Sequence, residues 1–308
     1  MSSFDRVLFE RPDLSKLTKQ HTVVDLHFHS HHSDGLNTIP KIAEKARKLG
    51  IGIAITDHNE IRGALEIDSY DDILTIPGIE ITSSEGSHLL LYFYSTSELE
   101  KFYHNDVVPH MGQGVMSSLS LTMEQIVQRA NTYHCIIIFA HPYCAMYTGI
   151  CNIQFSKEEL ERLFSMVDGV EVINSNNLNK WNLKCSVLGF NLNKAMVGGS
   201  DGHSLGHMGR SVTYACCAPN RREFLDAISR KENMVSGKEI HLLRKVTSNG
   251  MKLRSSLGNY PNLMEKHFRY GCKVINFKSK SLRSNVKRKI NQRINSATLR
   301  SIFGIFGI

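Results

Sequence analysis

The sequence predicts an α/β protein with a mostly parallel sheet, either open or closed into a barrel. Across residues 22–243, short β-rich runs alternate with stretches of helical period. Strands that alternate with helices usually pair in parallel, because each helix carries the chain back across the sheet. Hydrophobic residues make up 41% of the 308 residues and charged residues 21%, so the chain can bury a sizeable core. The alternation and the composition together give the fold class.

Eight runs are predicted to be strands because they are short and rich in apolar and β-branched residues. In chain order they are Val23–Leu26, Ile53–Thr56, Leu74–Ile81, His88–Tyr94, Ile136–Ala140, Val170–Ile173, Met196–Gly199 and Val212–Ala215.

Four helices are predicted between these strands. The first follows Thr38 and ends at Gly50, with Pro40 near its start, which is the expected order of cap, early proline and terminal glycine. The second begins after Thr122, and its apolar residues fall on one face of a helix. The other two are predicted at Lys157–Met166 and Arg221–Lys231.

The charge is unevenly distributed along the chain. Residues 244–308 carry 15 Lys or Arg and a single acidic residue, Glu265, so this segment is +14. The net charge of +8 leaves −6 for residues 1–243. We therefore predict an N-terminal extension of residues 1–21, a folded domain of residues 22–243 and a basic C-terminal extension of residues 244–308.

The sequence contains no signal for export or for membrane insertion. The longest apolar run, Cys135–Ala140, is far shorter than the roughly 20 residues that cross a bilayer. The start, MSSFDRVLFERPDLSK, lacks the apolar centre of a signal peptide. The seven cysteines include no Cys-x-x-Cys pair, which is typical of reduced thiols. We therefore expect a cytoplasmic protein with no transmembrane segment.

Residue types that bind metals follow the predicted strands. His27 and His29 are two residues apart, and alternate residues of an extended chain share a face. A lone His-x-His is equally typical of surface histidines, but further groups follow later strands. These groups are Thr56-Asp57-His58, Gly78-Ile79-Glu80, Ala140-His141-Pro142 and Ser200-Asp201-Gly202-His203. Because the carboxyl ends of parallel strands meet on one face, the pattern predicts a metal site there.

Four segments resemble, in order, the motifs of the polymerase and histidinol phosphatase (PHP) family of metallohydrolases. They are HFHSHHSDG, TDH, the stretch from Glu80 to His88 with AHP, and SDGH, within a span from about Val23 to Gly237. The resemblance implies the PHP fold, a distorted seven-stranded TIM-like (β/α) barrel, here with a basic and helical C-terminal extension. It also implies a metal-dependent phosphatase or phosphoesterase, a hydrolase that acts on phosphate ester bonds.

The resemblance assigns nine side chains to two or three divalent ions, which would be zinc, manganese or iron. The first ion would be held by His27, His29, Glu80 and Asp201, the second by Asp34, His58 and His203, and a third by His88 and His141 with Glu80 as the bridge. Asn59 stands where the family commonly has an acidic residue, and it is not assigned to an ion. Three divalent ions against three carboxylates would leave a cationic cluster, which suits a phosphate dianion.

Three other side chains are candidates for substrate binding. Arg210 follows the Ser-Asp-Gly-His motif by a short loop, and its guanidinium suits phosphate oxygens, although a surface ion pair is an equal alternative. Asn174 and Asn176 follow a strand and could bind sugar or phosphate, whereas turn chemistry explains them equally well. We assign catalysis to Asp201, His203 and Arg210, with His203 as a proton donor only if it is not fully committed as a ligand.

The expected reaction is hydrolysis of a phosphate monoester, a nucleotide or another small phosphorylated metabolite, by attack of a metal-bridged hydroxide. The alternatives within the same chemistry are a cyclic-phosphate diesterase and an oligonucleotide phosphodiesterase or 5′-phosphatase. Another class is a non-catalytic, metal-stabilised binding module that uses the basic tail. Nine filled positions argue against such a module, because a structural zinc site needs only four protein ligands.

The end of the chain has the pattern of a basic amphipathic helix. From Ser281, apolar residues recur every four positions among basic ones, at Leu282, Val286, Ile290 and Ile294. The helix could dock on the acidic domain, lie on anionic lipid or bind nucleic acid. Opposite charges favour docking. The expected partners are therefore the phosphorylated substrate and, through this segment, nucleic acid or an anionic surface.

Overall fold

A computed structural model describes residues 6–144, 148–152 and 154–240 of the chain. The basic C-terminal extension and its predicted helix lie outside these residues. The strands are Val7–Leu8 (β1), Thr22–Phe28 (β2), Gly52–Ile55 (β3), Gly78–Thr82 (β4), His88–Phe93 (β5), Cys135–Phe139 (β6), Gly169–Asn174 (β7), Ala195–Gly199 (β8), Ser211–Ala215 (β9) and Met234–Gly237 (β10).

Eight α-helices lie between the strands of the described residues. They are Leu14–Leu17 (α1), Ile39–Leu49 (α2), Arg62–Ile67 (α3), Thr96–Phe102 (α4), Met123–Ala130 (α5), Lys157–Met166 (α6), Asn179–Leu192 (α7) and Arg221–Ser229 (α8). A π-helical turn, Tyr103–Val107, and a 3₁₀ turn, Val108–His110, continue α4. No helix in the described ranges has both the length and the apolar character that crossing a membrane requires.

The strands form two five-stranded sheets, in the orders β1-β10-β9-β2-β3 and β4-β5-β6-β7-β8. Isolated bridges connect the two sheets, between Phe28 of β2 and Gly202, between Ile53 of β3 and Thr75, and between His58 and Glu80. The pair β2–β3 therefore lies beside both β4 and the segment that follows β8. The predicted α/β class is confirmed.

The sheets are mixed, whereas the sequence predicted a mostly parallel arrangement. β2–β3, β6–β7 and β7–β8 are parallel, but β5 runs antiparallel to both β4 and β6. β4 and β5 are antiparallel because residues 83–87, which connect them, are far fewer than the dozen or so residues of a parallel crossover. The resulting hairpin pairs Thr82 with His88 and brings the start of β5 to the carboxyl end of β4.

The two helices with the clearest sequence signals form as predicted. α2 buries an apolar face and ends at Gly50, whose φ of +66° is the left-handed conformation that favours glycine. α5 begins with a capping box in which Thr122 and Gln125 exchange side-chain to backbone hydrogen bonds. These local signals suffice because each involves atoms within one or two helical turns.

Helix α7 was not predicted, because its apolar residues surround the helix and do not form one stripe. Cys185 is buried against the sheet, whereas Leu183 and Val187 are 57% and 51% exposed. The predicted strand Leu74–Ile81 is also shorter in the structure and begins at Gly78. Thr75 makes only an isolated bridge to β3.

Candidate metal centre

The carboxyl end of β2 carries the first two candidate ligands, His27 and His29, both fully buried. The N–H of His29 donates to the carbonyl of Gly202 at 2.9 Å, and the N–H of Gly202 donates to the carbonyl of His27 at 3.3 Å. This pairing sets the segment after β8 beside β2. As a result, Nε2 of His29 lies 3.2 Å from Oδ1 of Asp201.

Glu80 lies at the middle of the cluster, and its two carboxylate oxygens face different histidines. Oε2 lies 3.1 Å from Nδ1 of His58, 3.4 Å from Nε2 of His27 and 3.5 Å from Nε2 of His29. Oε1 lies 2.9 Å from Nδ1 of His88 and 3.4 Å from Nε2 of His141. The antiparallel hairpin of β4 and β5 is what supplies His88. A carboxylate placed in this way can bridge two ions.

Asp34 closes the other side of the cluster from the loop that follows β2. Its Oδ2 lies 3.0 Å from Nε2 of His203, and its Oδ1 lies 3.7 Å from Nδ1 of His29 and 3.8 Å from Nε2 of His58. The loop turns sharply at Gly35, where an added Cβ would lie 2.2 Å from the carbonyl oxygen of His29. Only glycine permits this close approach.

The structure brings all nine predicted side chains together. Within the described residues, three groups place ligand atoms within 4.8 Å of one another: His29, Asp34, His58 and His203; His27, His29 and Asp201; and His58, Glu80 and His88. The grouping differs from the expected sets in that His29 joins the Asp34 group and His58 joins the Glu80 group. His141 adjoins the cluster through Glu80.

The side chains present fit divalent cations. Buried nitrogens of His27 (Nε2) and His29 (Nδ1 and Nε2), together with Oε2 of Glu80, make no hydrogen bond among the described residues. Buried polar atoms normally have partners, and these atoms converge on one another. Imidazole nitrogens and carboxylate oxygens are ligands that zinc, manganese and iron accept.

The electrostatics of the cluster favour ionised carboxylates. Burial alone would raise the pKa of Glu80, but the imidazoles of His88, His58 and His27 hold that pKa well below its usual range. Burial alone would also raise the pKa of Asp201, but the neighbouring imidazoles, His27 foremost, together hold that pKa well below its usual range. Burial lowers the pKa of His58 to about 3, so its imidazole is neutral, as a metal ligand must be.

Two buried carboxylates that the sequence analysis did not select support the ligand segments. Asp25 accepts hydrogen bonds from the N–H groups of Ser200 and Gly209, both at 2.9 Å, and burial raises its pKa to about 6. Asp57 accepts from the N–H of Ser30 at 2.8 Å and from its hydroxyl at 2.6 Å. Their positions in the sequence could have identified them, because each acid lies within two residues of a candidate histidine ligand.

A third overlooked carboxylate, Glu171, lies in β7 and is 1% exposed. It contacts the ring of His27 and the backbone of His141. The signal that could have found it is an acidic residue inside an otherwise apolar strand, Val-Glu-Val-Ile.

The predicted substrate residues have local partners. Nε of Arg210 donates to the carbonyl of Gly206 at 3.2 Å, within its own loop. The amide of Asn174 donates to Asp201 at 3.3 Å, and its oxygen accepts from the N–H of Asn176 at 2.9 Å. Asn174 therefore lies behind a candidate ligand, whereas Asn176 is half-buried.

Three non-glycine residues with positive φ lie at the cluster: Asn59 (+45°), His141 (+30°) and Asp201 (+48°). Such strained conformations concentrate at functional sites. The Nδ2 group of Asn59 donates to the carbonyls of Val115 and Ser117, both at 2.8 Å, and its Oδ1 accepts from the N–H of Thr82 at 3.0 Å. Asn59 thus attaches the loop of residues 111–118 to β4.

Two parts of the chain match known protein-family models. Residues 25–106 match the PHP domain, a range that includes His27, His29, Asp34, His58, Glu80 and His88. The chain contains a PHP domain. Residues 190–233 match the PHP-associated family, a range that includes Asp201 and His203. Both matches confirm the resemblance to the PHP family.

Several known proteins are similar to this PHP chain. The uncharacterized protein MJ1587 of Methanocaldococcus jannaschii is 28% identical over 167 residues, which cover 49% of this chain and 81% of that protein. A two-domain protein of Bacteroides vulgatus, with a predicted PHP-like metal-dependent phosphoesterase, superposes with a TM-score of 0.53 at 19% identity, over 78% of this chain and 72% of that one. The lesion-specific endonuclease EndoQ of Pyrococcus furiosus gives a TM-score of 0.57 at 19% identity, over 70% and 57%. The structural similarities show the PHP fold.

Proposed function

We propose that this PHP chain hydrolyses a phosphate monoester, with a nucleotide or another small phosphorylated metabolite as substrate. The observation that carries the proposal is the buried cluster of six imidazoles and three carboxylates around Glu80, in which several nitrogens and one carboxylate oxygen have no hydrogen-bond partner among the described residues. A binding module stabilised by one metal ion would need about four such ligands.

The nine side chains would hold two or three divalent ions, of zinc, manganese or iron. Glu80 would bridge, because its two oxygens face two sets of histidines. Ions in such sites activate water and polarise phosphoryl oxygens. Nδ1 of His203 donates to the carbonyl of Asp201 at 2.9 Å, which holds the ring so that Nε2 faces Asp34. Arg210 would bind phosphate oxygens from the rim, and Asn176 would contact the rest of the substrate.

The test is phosphate release from a panel of phosphate esters by the full chain, with Mn²⁺, Zn²⁺ and Fe²⁺ supplied separately. The panel contains nucleoside monophosphates, glycerol phosphate, sugar phosphates, cyclic nucleotides and short oligonucleotides. We expect turnover of monoesters with at least one metal, and less than a tenth of that rate after Glu80→Gln. If no ester releases phosphate with any of the three metals, the result would contradict the proposal and favour the binding module.

A second candidate is a phosphodiesterase or 5′-phosphatase that acts on oligonucleotides or cyclic phosphates. EndoQ, which shares the fold, has been crystallised with a 27-mer duplex that carries an abasic lesion at the active site. The +14 segment of residues 244–308 also suits a polyanionic substrate. This candidate would be favoured if the chain cleaves oligonucleotides faster than mononucleotides. Deletion of residues 281–308 should then abolish that preference at low salt.

A further inference from the structure

A buried carboxylate beside the metal centre accepts three hydrogen bonds from ligand-bearing segments. Oε1 of Glu171 lies 3.0 Å from Nδ1 of His27, and Oε2 accepts from the N–H of His141 at 2.9 Å and from Nδ2 of Asn174 at 3.0 Å. The same Asn174 amide donates to Oδ2 of Asp201 at 3.3 Å. Glu171 thus connects the ends of four strands, β2, β6, β7 and β8.

Glu171 stands behind the ligands and is not one of them. Its oxygens face the outer nitrogen of His27, whereas the inner nitrogen, Nε2, faces Glu80 and Asp201. None of the candidate metal groups found in the described ranges includes Glu171. Both of its oxygens are occupied by donors from the protein.

We propose that Glu171 is a positioning residue that orients His27, His141 and, through Asn174, Asp201 for metal binding. The inference rests on the proposed metal centre and adds to it a residue that does not touch the ions. Because a carboxylate can only accept, Nδ1 of His27 must carry a proton towards Glu171. The lone pair that is free to bind an ion is then on Nε2.

The hydrogen bond from the N–H of His141 has a separate consequence. His141 has a φ of +30°, an uncommon backbone conformation for a non-glycine residue that benefits from support by its surroundings. The bond to Glu171 holds this peptide in place, and the ring of His141 then lies with Nε2 at 3.4 Å from Glu80.

The variant Glu171→Gln preserves the shape of the side chain and changes only its hydrogen bonding. The side chain of Glu171 accepts from three donors, whereas a glutamine amide offers one acceptor oxygen and one NH₂ donor group. If its NH₂ faces His27, the ring must move its proton to Nε2. If its NH₂ faces His141 and Asn174, donors oppose donors. Either orientation disturbs a ligand.

The experiment compares wild type, Glu171→Gln and the control Asp168→Asn, each as the full chain. Asp168 also accepts a backbone N–H, that of Ile137 at 2.8 Å, but at the opposite end of the β6–β7 pair. Competition with a chromophoric chelator measures the affinity for Zn²⁺. We expect Glu171→Gln to bind Zn²⁺ about 10–100-fold more weakly, and Asp168→Asn to match wild type. Equal affinity in all three proteins would overturn the proposal.

A second measurement needs no variant. In the zinc-loaded wild type, long-range ¹H–¹⁵N NMR of labelled histidines should show the proton of His27 on Nδ1. A proton on Nε2, or none on Nδ1, would overturn the proposal even if Glu171→Gln fails to fold. The proposed phosphatase activity fails separately, because a chain that hydrolyses no ester could still show this tautomer and this loss of affinity.

Discussion

Single residues should decide how many ions the proposed metal centre can hold. Glu80 faces five histidines through two oxygens, whereas Asp201 approaches its neighbours through Oδ1 and is held by Asn174 at Oδ2. A bridging carboxylate and a carboxylate that serves one ion should differ when each is neutralised. The amount of metal lost from each variant therefore distinguishes a bridging carboxylate from one that serves a single ion, without an activity assay.

We expect Glu80→Gln to lose more than one equivalent of bound metal, and Asp201→Asn to lose at most one. Replacing an oxygen of Glu80 by NH₂ removes a charge and a ligand atom from two sites, because a bridge serves two ions. Elemental analysis after gel filtration measures the equivalents. Equal losses in the two variants would contradict a bridging role for Glu80.

Asn59 occupies the position where the family commonly has an acid, and here it uses both halves of its amide. We expect Asn59→Asp to lower the free energy of unfolding by about 1–3 kcal/mol, because a carboxylate cannot donate to Val115 and Ser117. The melting temperature should fall, and amide exchange across residues 111–118 should become faster.

The control for this variant is Asn220→Asp. Asn220 caps α8 only as an acceptor, of the N–H of Glu223 at 3.0 Å, and an aspartate accepts equally well. Its melting temperature should therefore stay near that of wild type. If Asn59→Asp left amide exchange across residues 111–118 at the wild-type rate, the loop would not depend on this side chain.

At the scale of elements, the site depends on how closely β8 approaches β2. An added Cβ on Gly199 would lie 2.3 Å from Cβ of His27 and 2.6 Å from its backbone nitrogen. Backbone atoms cannot move aside to relieve such a clash, whereas the end of a flexible side chain can. The spacing of these two strands therefore sets the distance between His27 and Asp201.

We expect Gly199→Ala to reduce metal content and activity together and to destabilise the fold by about 1–3 kcal/mol through overpacking. The matched control is Gly206→Ala, where the nearest atom to the added Cβ lies 4.0 Å away. Thermal unfolding and elemental analysis compare the two. Wild-type metal content in Gly199→Ala would show that the strand spacing is not critical.

At the scale of the whole molecule, metal binding should contribute to stability, because the cluster joins segments from both sheets. A ligand at 100–1,000 times its dissociation constant adds about 3–4 kcal/mol to the folded state. We expect chelation to lower the melting temperature by roughly 6–16 °C, using about 2–4 °C per kcal/mol for a domain of this size. Restoring Zn²⁺ or Mn²⁺ should reverse the change. An identical melting temperature with and without chelator would exclude tightly bound ions.

The separation of charge along the chain also belongs to this scale. The division into residues 1–21, 22–243 and 244–308, and the docking of the basic segment on the acidic domain, stay predictions from the sequence. The segment lies outside the described residues.

The sequence by itself determined both ends of α2, the start of α5, the residue types at the strand ends and their order along the chain. Caps, periodicity and the spacing of His27 and His29 involve atoms within a few residues of one another, so they can be interpreted locally. The four motifs, in their order along the chain, indicate the family from the sequence alone.

Only the tertiary structure decided which side chains meet. Glu171 is 144 residues from His27, and no local pattern relates an acid in β7 to a histidine in β2. The antiparallel course of β5 brings His88 to Glu80, and the polar contacts of Asn174 make it a support for Asp201 in addition to a turn residue. The physical reason is that hydrogen bonds between distant segments depend on the path of the chain and on burial, and neither is encoded within the length of one helix or strand.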